Sequence, residues 1–250
     1  MLRVTRHGFK EMLIGAVVLV VVMAVSGYGG LYWWPLAAVA VAAFVVLLWL
    51  FAFFRDPERD VPAEEHVMVS PADGTVSDIT EVDHDELLGG PAVRVGIFLS
   101  VFNVHINRSP CDGKVLAITY KKGKFVNAMS HGKASEQNES NTVLIGESTT
   151  GRPVAVVKQI VGLIARRIIF TASQGDALRR GDRIGMIKFG SRTELSIPKW
   201  LEPTVTVKEG QTVRGAADVI ARLGKPIHTV ERKTADDAEF EPLAPRQTPT

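Results

Sequence analysis

The hydrophobic positions of this 250-residue chain are concentrated near its N-terminus, where residues 12–54 contain no formally charged side chain. One helical crossing of a bilayer needs about 20 apolar residues, so this stretch is long enough for two. The sequence SGYGG at 26–30 interrupts it, and the aromatic residues of YWWP at 32–35 are typical of a membrane interface. The pattern predicts an anchor of two membrane helices joined by a turn.

Positive charges flank this anchor at both ends. Three precede the first apolar segment and two follow the second, namely Arg3, Arg6, Lys10, Arg55 and Arg59. Because positively charged flanks stay in the cytoplasm, the rest of the chain is expected on the cytoplasmic face of the inner membrane. The alternative is a cleaved signal peptide, with AVS at 24–26 as its cut site. The second apolar segment that follows immediately favours the hairpin.

After the anchor, polar and apolar positions alternate over short runs separated by glycine-containing turns. Strand-like runs cover 93–99, 154–157 and 168–171, and helical patterning is confined to Ala216–Leu223 and Ser135–Ser140. Short strands between turns are typical of sandwiches and barrels. The predicted fold is mostly β, a barrel or sandwich of repeated hairpin units (hybrid-barrel, lipoyl-like), preceded by the N-terminal hydrophobic helical hairpin.

An internal repeat supports this β architecture. The pattern S-P-x-D-G-x-V-x-x-I occurs at Ser70–Ile79 and again 39 residues later at Ser109–Ile118. We name these segments the first and second repeat copies. In each copy the proline and the Asp-Gly pair predict a tight turn, and the alternating apolar residues that follow predict a strand.

Changes in composition mark the limits of the folded domain. The segment RDPERDVPAEEH at 55–66 is charged and carries two prolines, so it is expected to be a linker with no fold of its own. The polar residues 231–250 are expected to form a disordered tail. The predicted organisation is therefore an anchor with its linker at 1–58, a catalytic β domain at 59–230, and this tail.

Charge and cysteine content exclude several classes of protein. The chain has 29 basic and 27 acidic residues, a net charge of only +2. It therefore lacks the overall basic character of a nucleic-acid-binding protein. The single cysteine, Cys111, excludes an internal disulfide framework. The sequence shows no cluster of residues with metal-ligand spacing, and no metal is expected.

The dipeptide Gly190-Ser191, at the end of a strand-like run, is the candidate for covalent chemistry. The carbonyl of a glycine has no side chain beside it, so the serine hydroxyl could attack it in an N→O acyl shift. β-Elimination of the resulting ester would cut the chain and leave dehydroalanine, which hydrolyses to a pyruvoyl group. The alternative is an ordinary tight turn, because Gly-Ser pairs are common in turns.

One histidine and two aspartates complete the candidates. His105 is flanked by Val104 and Ile106, a setting that suits either an imidazole held near neutrality for proton transfer or a purely structural histidine. Asp73 and Asp112 occupy the same position in the two repeat copies. Each could merely shape its turn, and the repeat alone does not distinguish them.

Five sequence blocks stand in order behind the membrane segment: SPADG at 70–74, NVHINRSP at 103–110, KASEQNE at 133–139, VGLIARRI at 161–168 and FGS at 189–191. Together they resemble the phosphatidylserine decarboxylases, specifically their short bacterial form, over roughly residues 55–223. The resemblance implies a lyase of phospholipid biosynthesis that decarboxylates phosphatidylserine to phosphatidylethanolamine at a cell membrane.

The resemblance also implies that the enzyme is made as a zymogen. The proenzyme would cut itself between Gly190 and Ser191, giving a β chain of residues 1–190 and an α chain of residues 191–250. The pyruvoyl group at the start of the α chain would be made from Ser191. Its ketone would serve as the electron sink for decarboxylation, as PLP does elsewhere, without a metal or a diffusible cofactor.

An Asp-His-Ser relay for the cut falls on Asp73, His105 and Ser191, with a base near the hydroxyl oriented by a third group. Longer members of the family carry a second histidine three residues after the first, where this chain has Arg108. If those members use the later histidine for the cut, His105 here would serve both the cut and the decarboxylation, or water or Arg108 would assist. The implied partners are the membrane phospholipid and the α and β chains of the same proenzyme, with a homo-oligomer left open.

The residue that would bind the lipid phosphate is not determined. Arg108, Arg166 and Arg167 are the candidates, and each could instead pair with carboxylates.

Two other classes of protein fit parts of the pattern. A lipoyl-like carrier needs a lysine at a hairpin tip between small or apolar residues, and no lysine has that setting. A lysostaphin-type peptidase needs zinc ligands that include a His-x-His pair, which the six histidines do not contain.

Overall fold

The computed structural model describes residues 3–124, 135–162, 167–188 and 191–228. Gly190 and the predicted tail lie outside this part of the chain. Within it the protein is mostly β, with an apolar helical hairpin at the N-terminus, and both features of the predicted fold are confirmed.

The hairpin consists of α1 (Phe9–Gly30) and α2 (Trp34–Phe53), and each helix is long and apolar enough to cross a membrane. The turn lies at 31–33, because α1 continues through the glycine-containing segment that was expected to interrupt it; glycine is well tolerated in apolar helices. Backbone hydrogen bonds join the two ends of the hairpin, from Thr5 N to Phe54 O (2.9 Å) and from Asp56 N to Arg3 O (2.8 Å).

Fourteen strands follow in the described part of the chain. They are β1 (Val67–Val69), β2 (Gly74–Asp85), β3 (Gly90–Leu99), β4 (Ile106–Arg108), β5 (Gly113–Lys121), β6 (Ser140–Gly146), β7 (Pro153–Val161), β8 (Arg167–Phe170), β9 (Ala177–Leu178), β10 (Arg183–Lys188), β11 (Ser191–Pro198), β12 (Pro203–Val205), β13 (Thr212–Val213) and β14 (Val219–Leu223).

The strands form one large antiparallel sheet and two small ones. The large sheet has the order β13-β2-β3-β11-β7-β6-β5-β9 and curls into a half-barrel, and the small sheets have the orders β1-β14-β12 and β4-β10-β8. The main core contains buried residues of the large sheet and of β1 and β14, including Val95, Ile97, Leu195, Met68 and Ile220. β11 therefore has a partner on each side and lies inside the large sheet.

The two repeat copies adopt the same structure and contact each other reciprocally. In each copy a short strand leads into the Asp-Gly turn and a long strand leaves it, as β1 and β2 in the first copy and β4 and β5 in the second. Val69 N donates to Pro110 O (2.9 Å), and Arg108 N, at the equivalent position 39 residues later, donates to Pro71 O (2.9 Å). These paired bonds relate the two copies by approximate twofold symmetry.

The predicted helix at Ala216–Leu223 is wrong. Residues 215–217 form a turn in which Ala216 has a positive φ of 63°, and residues 219–223 form β14 between β1 and β12. The β-branched Val219 and Ile220 suit a strand with a partner on each side, and this tertiary pairing overrides the helical propensity of the alanines. Of the segment Ser135–Ser140, residues 135–137 are helical and Ser140 begins β6.

Residues 55–66, which we call the connector, contain no helix or strand, but the β domain holds them in place. Arg180 donates to the carbonyl oxygens of Pro62 (2.8 Å) and Glu64 (2.9 Å), and Arg222 pairs with the Glu64 carboxylate (2.8 Å). The connector therefore follows a defined path from the apolar helices to β1.

Candidate active site

Ser191 is the first residue of β11. Its backbone pairs with Leu99 of β3 on one side and with Val161 of β7 on the other. The side chain is fully buried, and its Oγ has no hydrogen-bond partner among the described residues. Burying a hydroxyl without a partner costs about 1–3 kcal/mol, so a functional reason for this arrangement is to be sought.

The face of β11 that carries Ser191 continues in a ladder of buried polar side chains. Asn107 Nδ2 donates to Thr193 Oγ1 (2.9 Å), and Gln159 Nε2 donates to Asn107 Oδ1 (2.9 Å). Asn141 Nδ2 donates to Gln159 Oε1 (3.1 Å). This ladder fixes the strand after Ser191 relative to β4, β6 and β7.

A buried cation holds the opposite face of β11. Arg192 donates through Nε to Glu194 (2.9 Å) and pairs through Nη2 with Asp78 of β2 (2.7 Å). Glu194 also accepts from Ser135 Oγ (3.0 Å), and Lys158 Nζ donates to the Ser135 carbonyl oxygen (2.7 Å). Charge-assisted bonds of this kind are strong and directional, so the start of β11 is fixed from both faces.

His105 lies in the loop between β3 and β4 and is fully buried. Its Nδ1 is 3.0 Å from the carbonyl oxygen of Asn103, and its ring centroid is 4.4 Å from that of Phe53 in α2. The pKa of His105 is lowered to about 4, chiefly because burial disfavours the imidazolium; the Asn103 carbonyl opposes the shift, and Arg55 adds to it. A carbonyl can only accept, so the neutral ring carries its proton on Nδ1 and its lone pair on Nε2.

The topology brings His105 and Ser191 to the same end of the large sheet. Leu99, the strand partner of Ser191, lies six residues before His105. Ile187, four residues before Ser191, donates its N–H to the His105 carbonyl oxygen (3.2 Å). Hydrogen-bonded chain segments therefore connect the two predicted residues on both sides.

Asp73 lies in the turn of the first repeat copy and is nearly fully buried. Its Oδ1 accepts from Gly215 N (2.8 Å), and its Oδ2 pairs with Arg59 of the connector (2.6 Å). Burial raises the pKa of Asp73, and the neighbouring Arg59 and the Gly215 N–H oppose that shift. The carboxylate makes no hydrogen bond to His105 in the described part of the chain, so the structure does not join these two members of the predicted relay directly.

Three arginines were candidates for the lipid phosphate. Arg108 is buried and used internally, because it donates to Asp56 (3.1 Å), to Gly181 O (3.1 Å) and to Pro57 O (2.9 Å). Arg167 is exposed at the start of β8, and Arg166 lies outside the described residues.

The apolar helical hairpin packs directly against this region. One apolar cluster contains Met12 of α1 and Leu50, Phe53 and Phe54 at the end of α2, together with Val104, Ile106 and Met186 of the β domain. Glu11 of α1 pairs with the buried Lys188 at the end of β10 (2.5 Å). The anchor thus forms one wall around His105.

Sequence reasoning missed two residues that contact the predicted site. Arg59 was interpreted as a flanking charge of a linker, and only the density of charged residues in the connector signalled an ion pair. Phe53 lies in a uniformly apolar segment, where no sequence pattern distinguishes the residues that contact the β domain from the others.

Comparison with known proteins identifies the protein family to which the chain belongs. A sequence profile described as "Phosphatidylserine decarboxylase" matches residues 46–221. A phosphatidylserine decarboxylase proenzyme of Ruegeria pomeroyi is 49% identical over 70% of this chain and 80% of its own length. Proteins of the same name from Rhodopirellula baltica (42% identical; 87% of each chain) and Carboxydothermus hydrogenoformans (47% identical; 72% of this chain, 82% of its own) are also similar. The chain therefore belongs to the phosphatidylserine decarboxylase family of enzymes.

Proposed function

We propose that this chain is a self-cleaving proenzyme that decarboxylates phosphatidylserine to phosphatidylethanolamine with a pyruvoyl group made from Ser191. The observation that carries the proposal is the buried Ser191 hydroxyl, which has no hydrogen-bond partner among the described residues. A structural serine in a strand is expected to satisfy its hydroxyl, whereas a nucleophile needs it available. The curated relatives are named proenzymes, which supports processing of the chain.

The proposed cut starts when Ser191 Oγ loses its proton and attacks the carbonyl carbon of Gly190. The peptide C–N bond breaks as the ester C–O bond forms, and the nitrogen takes a proton to become the amine of Ser191. Loss of the Ser191 α-proton then expels the ester carboxylate as the new C-terminus of Gly190 and leaves dehydroalanine. Water displaces the nitrogen as ammonia, and the ketone of the pyruvoyl group remains.

His105 is the proposed base for this cut. Its Nδ1–H bond to Asn103 leaves Nε2 as the acceptor, and its low pKa keeps the ring unprotonated at neutral pH, so Nε2 can take the hydroxyl proton. We assign Asp73 an electrostatic role, in which its charge stabilises the imidazolium that forms. The backbone bond between Arg108 and Pro71, which links the two repeat copies, keeps the two segments adjacent.

When present, the pyruvoyl ketone would bind the amine of the substrate and accept the electrons released with CO₂. The residues around Ser191 fit such a group, because the position is fully buried and its strand is fixed on both faces. We propose that His105 Nε2 takes a proton from the ammonium group of the substrate as the amine binds, and returns that proton to the α-carbon after CO₂ has left.

The two apolar helices support a membrane location for the substrate. The helices pack beside His105, and this position favours a site that opens toward the bilayer surface, where a phospholipid headgroup is presented. The positive charges at both ends of the hairpin favour the cytoplasmic face of the inner membrane.

The test is the intact mass of the purified protein combined with a CO₂-release assay on phosphatidylserine in detergent micelles. We expect fragments of residues 1–190 and 191–250, with a blocked N-terminus on the smaller one. Ser191→Ala should stay uncut and inactive, whereas Ser191→Cys should still cut slowly because it keeps a nucleophile. A single uncut species of 27.2 kDa with full activity, or an active Ser191→Ala, would overturn the proposal.

A further inference from the structure

We infer that Arg55 binds the phosphodiester of the lipid substrate, an inference that rests on the function proposed above. In a phosphatidylserine headgroup only one ester oxygen and one methylene separate the phosphorus atom from the α-carbon of the serine. The side chain that binds the phosphate must therefore lie beside the reacting residues and near the level of the lipid headgroups.

Arg55 satisfies both requirements. It lies two residues after Phe53, the last residue of α2, and the ring of Phe53 contacts that of His105 in a tilted arrangement with centroids 4.4 Å apart. Its guanidinium donates through Nη1 to Ala52 O (2.6 Å) and through Nη2 to Phe102 O (2.7 Å). These two bonds fix the cation between the end of the membrane helix and the loop that leads to His105.

The guanidinium of Arg55 has bonding capacity left. Two of its five N–H donors are used by carbonyl oxygens, and no carboxylate lies within ion-pair distance of it among the described residues. Four other cations around the site have acidic partners: Arg59 with Asp73, Arg108 with Asp56, Lys188 with Glu11, and Arg192 with Asp78 and Glu194. A planar guanidinium matches two phosphate oxygens in geometry as well as in charge, so a phosphodiester suits this position.

The loop at 100–103 places this cation at the level of the lipid headgroups. It begins one residue after Leu99, the strand partner of Ser191, and Asn103 Oδ1 closes it by accepting from Ser100 N (2.9 Å) and Ser100 Oγ (2.8 Å). Phe102 at its tip is 71% exposed, more than any other large apolar residue of the described β domain. An exposed aromatic ring beside the end of a membrane helix is typical of the bilayer interface.

Arg167 is the alternative within the described residues. It is exposed at the start of β8, opposite Lys188 of β10, and forms no ion pair within the described part of the chain, although its charge acts on Glu11. Unlike Arg55, its side chain makes no hydrogen bond to the His105 loop. A direct comparison of the two arginines therefore tests the inference.

The experiment compares two substrates on the same matured enzyme in neutral detergent micelles at fixed mole fraction. One substrate is phosphatidylserine, and the other is an O-alkyl serine ether, which keeps the amine and the carboxylate but has no phosphate. The variants are Arg55→Gln, Arg55→Lys and Arg167→Gln, with Arg3→Gln as the matched control because the Arg3–Glu58 pair is exposed. The ratio of kcat/KM for the two substrates does not depend on how much of a preparation has folded or matured.

We expect Arg55→Gln to lower kcat/KM for phosphatidylserine about 10- to 100-fold, the range expected for lost hydrogen bonds to a charged group, and to change the ether substrate less than about threefold. Arg55→Lys should fall between Arg55→Gln and the wild type, and Arg3→Gln should leave the ratio unchanged. Equal losses on both substrates, no loss on either, or a phosphate-specific loss in Arg167→Gln alone would overturn the inference. A wild-type enzyme that decarboxylates neither substrate would instead contradict the proposed function.

Discussion

The two repeat copies share a backbone and differ in what surrounds their aspartates. Asp73 Oδ1 accepts from the backbone N–H of Gly215 (2.8 Å), and Asp112 Oδ1 accepts from that of Arg180 (3.0 Å). The residue after each donor, Ala216 or Gly181, has a positive φ. The two aspartates therefore have the same structural role in two equivalent turns.

What differs is the second carboxylate oxygen. That of Asp73 is buried and paired with Arg59 of the connector, whereas Asp112 is exposed. The connector leads from the apolar hairpin directly into the first copy and supplies Arg59 to its aspartate, so the connector is the source of the asymmetry. The duplicated turn provides two candidate aspartates, Asp73 and Asp112. The connector, which lies outside the duplication, determines that Asp73 is the one buried beside a cation.

The sharpest test of this comparison substitutes each aspartate in turn. Asp73→Asn keeps an oxygen that can accept from Gly215 but removes the charge, and we expect it to slow chain cleavage about 10²- to 10⁴-fold, the usual contribution of such a relay. Asp112→Asn, the matched control, should cleave within about twofold of the wild type. The measurement is the half-time of precursor loss on denaturing gels, and equal effects in the two variants would contradict the distinction.

The histidines that precede the two copies provide a second test. His105 lies four residues before Ser109, as His66 lies four before Ser70, but His105 is fully buried and His66 is largely exposed. Because the pKa of His105 falls from 6.5 to about 4 on folding, the unfolded chain binds more protons in this window, and stability is lost as the pH falls through it.

This loss should reach about 3 kcal/mol between pH 6.5 and pH 4 and be absent above pH 6.5. Thermal unfolding midpoints in detergent at pH 4.5 and pH 7 measure it. His105→Gln should flatten the pH dependence and His66→Gln should not; an unchanged acid loss in His105→Gln would show that other groups cause it.

A third test asks whether the two turns are as alike as their backbones indicate. A Cβ on Gly74 would clash with the carbonyl oxygen of Phe98, and a Cβ on Gly113 would lie 2.7 Å from that of Gly146. Gly74→Ala and Gly113→Ala should therefore each destabilise the fold by about 1–3 kcal/mol. The thermal unfolding midpoint should fall in both variants. A lower midpoint in only one of them would contradict the structural equivalence of the two turns.

The smallest expected effect concerns Arg59. Since Arg59 opposes the rise in the pKa of Asp73 caused by burial, Arg59→Gln should raise that pKa further and move the acid limb of the cleavage rate to higher pH. On the acid limb itself, the rate at a given pH should fall about tenfold for each pKa unit by which the limb moves. Arg222→Gln, which loses an exposed pair with Glu64 in the same connector, is the control and should keep the wild-type pH profile. An unshifted pH profile in Arg59→Gln would show that Arg59 does not influence the pKa of Asp73.

Features defined by local pattern could be predicted from the sequence. The apolar hairpin follows from length and hydropathy, and the two repeat copies follow from a turn signal next to alternating residues. The helix predicted at Ala216–Leu223 failed because the strand there is stabilised by β1, which lies about 150 residues earlier in the chain. Strand propensity depends on such partners and is weak without them.

The site could be predicted only in part, for the same reason. His105, Asp73 and Ser191 could be predicted because each lies in a recognisable block, and their roles stay predictions. The ladder that joins Asn107 to Thr193 connects residues 86 positions apart, and nothing local to either residue predicts the contact. The pairing of Arg59 with Asp73 likewise depends on the path of the connector.

The position of β11 between β3 and β7 has a consequence for the cut enzyme. A break before Ser191 would leave the smaller fragment with one strand inside the large sheet, one at its edge, and two in the β1 sheet. The pieces would be interwoven, so neither could diffuse away or exchange with a neighbouring molecule without global unfolding. Mixing two separately matured, differently tagged preparations should therefore yield no complex that contains the large fragment of one and the small fragment of the other. Adding an inactive small fragment should likewise not lower the activity of a matured preparation.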